Sequence, residues 1–133
     1  ALMLAIAHVL ETEELADQLF LSKYCSGYEK FKKYFLGRDG HFAKTPEWAS
    51  EETGIDASEI IKLARNMASG RTLISVSWSL QRARYGEHPF WMACVLAAML
   101  GQIGLPGGGI GFGYGANRFR QNHDTLRRTA IYK

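Results

Sequence analysis

One short β-branched run, Thr72-Leu73-Ile74-Ser75-Val76-Ser77, stands in a chain whose other periodic segments read as helices, and it limits the fold more than any other feature. Its composition suits a strand, and it is bounded by Gly70 on one side and a polar turn on the other. A solitary strand leaves backbone donors and acceptors unpaired, so it requires neighbours. The next segment points the same way. From about His88 to Gly101 the pattern is helical with apolar residues on every face, and such a helix is buried inside a larger body. The implied class is α/β, a mostly helical piece with one clear strand at about 71–77, its partner strands lying in sequence beyond this chain.

Ahead of the strand the punctuation is helical. Thr12 is expected to cap a helix in which Glu13 and Glu14 favour the positive end of the dipole and Leu15, Leu19 and Phe20 form the apolar face. Gly27 separates this from a short helix with Tyr28, Phe31, Tyr34 and Phe35 on one side and Lys30, Lys32 and Lys33 mostly exposed. Gly37 to Lys44 reads as a loop. Thr45-Pro46 starts another helix, because proline at the first helical position gives up no needed hydrogen bond. Asp56-Ala57-Ser58-Glu59 has the capping-box pattern, followed by Ile60, Ile61, Ala64, Met67 and Ala68 at helical spacing and closed by Gly70. Leu105 to Gly115, with Pro106 and six glycines, is expected to be a loop where backbone passes close to something.

With 133 residues, 47% of them hydrophobic, there is material for one core and at most one domain. The apolar runs Ala1 to Leu10 and Phe90 to Leu100 fall short of the roughly 18 to 20 residues that cross a bilayer, so they read as buried helices. No secretory signal is recognisable, and a chain that opens inside an apolar helical pattern without a methionine reads as an internal piece. The net charge of +3 is uneven: from Ala116 onward Arg118, Arg120, Arg127, Arg128 and Lys133 face only Asp124, so the tail carries +4 and the rest −1. Residues 116–133 are therefore expected to form a basic, poorly ordered tail, with attraction to nucleic acid or an acidic surface as the lesser reading. Cys25 and Cys94 are far apart without metal-type spacing and read as inert core thiols.

Ligands of open α/β sheets bind beyond the carboxyl ends of strands. Here that place is the turn Trp78 to Glu87. Ser79 and Gln81 supply hydrogen-bonding groups, Arg82 and Arg84 supply cations, Trp78 supplies a flat apolar surface, and a helix N-terminus that favours anions follows. The set suits a phosphorylated, ring-bearing ligand; the competing reading makes the arginines a solvated edge and Trp78 core. Gly111-Phe112-Gly113-Tyr114-Gly115 is not a dinucleotide fingerprint, which needs a strand before it and a helix after it. His8, His41, His88 and His123 share no metal spacing. The pairs Glu13-Glu14 and Glu51-Glu52 read as solvated carboxylates at a helix start and on a surface.

The run from Arg71 through Gly115, RTLISVSWSLQRARYGEHPFWMACVLAAMLGQIGLPGGGIGFGYG, resembles a segment of the DMSO reductase family of molybdenum enzymes, closest to its trimethylamine N-oxide and biotin sulfoxide reductases. ALMLAIAHVL, SGYEKFKKYFLG and KTPEWASEETGI fit the same subgroup, so the resemblance covers about residues 1–115 and makes them a partial molybdopterin oxidoreductase domain of Rossmann-like type. It implies a parent of several hundred residues that binds molybdenum through two molybdopterin guanine dinucleotides. Such a parent reduces S-oxides or N-oxides with electrons from a donor, in the bacterial periplasm or alternatively the cytoplasm. It also implies that Trp78, Ser79 and Arg82 lie at the pterin cofactor. The family's serine ligand to molybdenum lies upstream of this segment, so Ser79 is not a metal ligand, and neither a catalytic nor a metal-binding residue is expected within the chain.

Two departures stand out. His88 occupies a position where glutamine is expected after Gly86-Glu87, and Asn117 to Lys133 lacks the glycine- and serine-rich continuation expected after GFGYG. The isolated segment is expected to be inactive as a reductase. The alternatives are a small helical binding module whose basic tail contacts nucleic acid or an acidic partner, and a non-functional fragment that self-associates to cover its strand edges.

Overall fold

The first apolar run becomes the axis of the helical layer. The structure, a computed structural model, describes residues 1–112. Helix α1 (Leu2–Thr12) buries Ala5, Ile6, Val9 and Leu10, and packs against α3 (Tyr28–Phe35), α4 (Pro46–Thr53), α5 (Ala57–Ser69) and α6 (Glu87–Met99). The largest fully buried side chains are Leu10, Phe35, Ile60, Leu96 and Met99, one or two from each of α1, α3, α5 and α6. Each such side chain contributes about 1.5–3 kcal/mol of burial. These four helices are thereby fastened to one core.

The caps follow local chemistry, with one correction. Thr12 does not open a helix. It closes α1, where its hydroxyl donates to the His8 carbonyl at 2.8 Å, and Glu14 turns the chain with φ of 57°. Helix α2 (Gln18–Tyr24) is capped by Asp17, whose carboxylate accepts from the Phe20 amide at 2.8 Å. The apolar run had already spent its helical turns before Thr12, so the next acceptor with free space around it takes the cap. Thr45 and Asp56 cap α4 and α5 as expected, accepting from Trp48 at 3.3 Å and from Ser58 at 2.8 Å. The reciprocal half of the capping box is not formed; Glu59 lies 3.6 Å from Lys62 instead.

Between α1 and α3 lies a nearly buried carboxylate. The Glu11 side chain is 6% exposed, pairs with Lys32, and accepts from Tyr28 at 2.5 Å and from Gln18 at 3.2 Å. Taken alone, its burial would raise the pKa, but the hydrogen bonds from Lys32, Tyr28 and Gln18 outweigh that and hold it below the ordinary glutamate value.

The strand at 71–77 is present as β1 (Leu73–Val76), and it has a partner inside the chain. Gly109–Phe112 forms β2, parallel to β1, with Leu73 opposite Gly109 and Val76 opposite Phe112. Helix α6 is the crossover, so the segment is a βαβ unit. The expected loop from Leu105 therefore stops at Gly108; Gly113 to Gly115 and the basic tail 116–133 lie outside the described residues.

Gln102 fixes the entry to β1, against which the glycine-rich segment pairs. It is 9% exposed, and its amide donates to the Gly70 carbonyl at 2.7 Å while its oxygen accepts from the Thr72 amide at 2.7 Å. The Thr72 carbonyl then accepts from Gly109 at 3.0 Å. Gly109 has φ of 89°, which favours glycine, and a Cβ at Gly108 would stand 2.8 Å from the Gln102 oxygen and press on its bond to Thr72.

Helix α6 is not covered on every face. Met92, Ala93, Leu96 and Met99 are buried, but Trp91 is 68% exposed and Cys94 is exposed as well. Cys25, at the end of α2, is half-buried. Among the described residues, then, Cys94 is not a core thiol, because an apolar pattern around a whole helix does not reveal which side lacks a neighbour.

Candidate functional site

Strand β1 delivers the chain directly into the turn singled out by its residue types. The Ser77 carbonyl accepts from the Leu80 amide at 3.3 Å, and Trp78–Arg82 winds as a 3-10 helix. The Ser77 hydroxyl accepts from the Ser79 amide at 3.4 Å, and the two serine hydroxyls share a hydrogen bond of 3.0 Å. A 3-10 helix repeats every three residues, so Ser79 and Arg82 fall on one side and Trp78 and Gln81 on the next. All these side chains are exposed; Trp78 is 40% exposed, so it is not core.

The two arginines separate. Arg84 donates to the Tyr85 hydroxyl at 3.1 Å and its guanidinium stands 4.9 Å from the Tyr85 ring centroid. Tyr85 also stacks on His88, with centroids 5.2 Å apart and planes 6° from parallel. Arg82, among the described residues, has neither an ion pair nor a side-chain hydrogen bond. It is the uncommitted cation of the turn. Tyr85 has φ of 59°, in the left-handed region that few side chains adopt. Gly86 is buried beneath the 3-10 helix, and a Cβ there would overlap the Gln81 carbonyl.

The turn therefore sits beyond the carboxyl end of β1, where Val76 pairs with Phe112 of β2, and the N-terminus of α6 follows. Its exposed groups are the Trp78 indole, the Ser79 hydroxyl, the Gln81 amide and the Arg82 guanidinium. Those groups suit a ring carrying an anion. Among the described residues no three of His, Cys, Asp or Glu converge as a metal-binding group would require. Tyr85 and Gly86 fell within the turn expected from Trp78 to Glu87 without being given a role there, and nothing in the sequence signalled that Tyr85 would bridge Arg84 and His88.

Away from the turn, a cavity of about 770 Å³ lies between α1 and α3 and is lined by His8, Glu11, Glu14, Gln18, Lys32 and Arg38. Its buried carboxylate is already satisfied by Lys32, Tyr28 and Gln18, so it reads as a structural polar seam.

A family model described as Molybdopterin oxidoreductase matches residues 1–128. The chain belongs to the molybdopterin oxidoreductase family. It is 50% identical over 115 residues to the trimethylamine-N-oxide reductase of Vibrio parahaemolyticus, covering 86% of the chain and 14% of that protein. Trimethylamine-N-oxide reductase 1 of Escherichia coli K12 is 53% identical over 116 residues, covering 87% and 14% respectively. The dimethyl sulfoxide/trimethylamine N-oxide reductase of Rhodobacter capsulatus is 48% identical over 114 residues, covering 86% and 14%. The chain thus spans about one seventh of the length of these relatives. The molybdopterin oxidoreductase match runs past the turn and into the basic tail.

Proposed function

We propose that this chain is a cofactor-holding segment of a molybdenum oxidoreductase that reduces N-oxides or S-oxides, of the trimethylamine N-oxide, dimethyl sulfoxide or biotin sulfoxide type. Family membership supports a molybdenum–pterin cofactor, and the relatives' names support the substrate class. The observation that carries the local role is Arg82. It is an exposed guanidinium without a partner among the described residues, on the same side of a 3-10 helix as Ser79 and beyond the carboxyl end of a parallel strand. In this reading Arg82 and Ser79 hold an anionic part of a molybdopterin guanine dinucleotide and Trp78 packs against a ring. The cofactor supplies the redox chemistry, and these residues supply binding and orientation.

The parent acts with an electron donor in the bacterial periplasm, as the resemblance implies. Residues 1–115 are a partial domain, and 116–133 a basic tail of divergent composition that falls partly within the family match. The decisive experiment replaces Arg82 by alanine in the full-length protein and measures bound molybdenum and guanine nucleotide. Their content is expected to fall by about 10-fold or more, as for loss of one charge-assisted contact of roughly 1.5–3 kcal/mol. Unchanged content with unchanged activity would remove Arg82 from the site.

A further inference from the structure

Away from the turn, the described residues leave an apolar groove open between α3 and α6. One cavity of about 300 Å³ has Leu4 of α1 in its lining, with Phe31 and Tyr34 on the α3 side and Met92 on the α6 side. A second, of about 340 Å³, extends the groove toward Cys25, Cys94 and Ile103. Phe31, Trp91 and Val95 line both cavities, so they are two halves of one groove with Trp91 between them. No Asp, Glu, Lys or Arg lines either half. An indole that is 68% exposed in such a place gives up the burial that aromatic side chains normally contribute.

Among the described residues, the other side of the βαβ unit is partly open too. Helix α6 packs on both strands, yet Leu73 of β1 remains 48% exposed, whereas parallel sheets are ordinarily covered on both faces. A second copy of the chain joined through one two-fold interface would cover one of these surfaces and leave the other. More polypeptide covers both, and about six sevenths of each relative's length lies outside the aligned segment.

We propose that the α3–α6 groove is an internal docking surface, filled in the full-length protein by an uncharged apolar ridge, from a helix or strand of the same polypeptide outside residues 1–133. Trp91 and Val95 are the contacts that ridge seats against, and Cys94 lies beneath it.

Cys94 supplies the readout. The full-length protein is treated with a maleimide under native and urea-unfolded conditions, and labelling is followed at Cys94 by peptide mass spectrometry. Native labelling is expected to be at least about 100-fold slower than unfolded labelling, as for a site that opens only by local unfolding, and to stay so on dilution. Trp91→Lys is expected to speed native labelling of Cys94 by about 10-fold or more, while Trp91→Phe retains protection. Native labelling within a few-fold of the unfolded rate overturns the proposal. So does protection that disappears on dilution as the mass halves, which would identify a second copy, or protection that Trp91→Lys leaves intact. Molybdenum content is measured on the same samples: a loaded protein with a freely reactive Cys94 defeats the groove proposal and leaves the cofactor reading standing.

Discussion

Arg82 and Arg84 are two residues apart and chemically identical, and their neighbours give them different work. Arg84 is held against Tyr85, so replacing it removes a contact of about 0.5–1 kcal/mol on an exposed surface. Arg82 has its charge free for a ligand. In the full-length protein, Arg84→Ala is therefore expected to leave molybdenum content within about 3-fold of the parent, while Arg82→Ala lowers it more; equal losses from the two changes would contradict the distinction. Glu11 makes a separate prediction. A carboxylate whose folded pKa is depressed stabilises the fold fully above its unfolded value, roughly 4.3, and loses that contribution as the pH falls through the lower folded value. Glu11→Gln is expected to weaken hydrogen-exchange protection of α1 and α3 by about 1.5–3 kcal/mol at neutral pH. The wild type should approach the variant as the pH drops below about 4. A constant difference down to pH 2 would show that the Lys32–Tyr28–Gln18 cluster is not its source.

At the scale of elements, Gln102 ties the end of the crossover helix back to the entry of β1, the strand that precedes it. Gln102→Leu would leave the Gly70 carbonyl and the Thr72 amide without partners, at about 1–3 kcal/mol each. Exchange at the Thr72 amide should accelerate by about 10-fold or more while α1 amides hold their protection. Gly86→Ala is expected to displace the 3-10 helix, because the new methyl meets the Gln81 carbonyl. Its signature is a loss of cofactor content with little change in α5. These elements differ in how far their residues disclosed them. Helix starts at Thr45 and Asp56 were legible, since a capping side chain acts within three residues. Thr12 was misassigned because its type suits a helix start while its hydroxyl is satisfied four residues back, at a helix end. Strand β2 was hidden by its glycines: what makes Gly109–Phe112 a strand is its register with β1, which is not local in sequence. A turn after the strand was legible from the polar residues that follow Ser77, and the resemblance had named Arg82; the structure adds that Arg84 is held by Tyr85.

For the molecule as a whole, the resemblance of about residues 1–115 and the family match agree on the fold class, and the open faces agree with a chain that spans one seventh of its relatives. Expressed alone, the 133 residues are expected to show no N-oxide or S-oxide reductase activity. They are also expected to enhance the fluorescence of an apolar dye, which the full-length protein should do far less. Strong turnover by the isolated chain would overturn that expectation. The parallel pairing of β1 with β2 also bears on the order of events during synthesis. Helices α1 to α5 can assemble as soon as they emerge, but Leu73–Val76 must wait for α6 and the whole glycine-rich approach to be made before Gly109–Phe112 arrives. At roughly 5–20 residues per second, that is a delay of a few seconds with an unpaired strand edge outside the ribosome. Slower translation between Val76 and Gly109 would lengthen the interval in which this edge is available to chaperones or to another nascent chain.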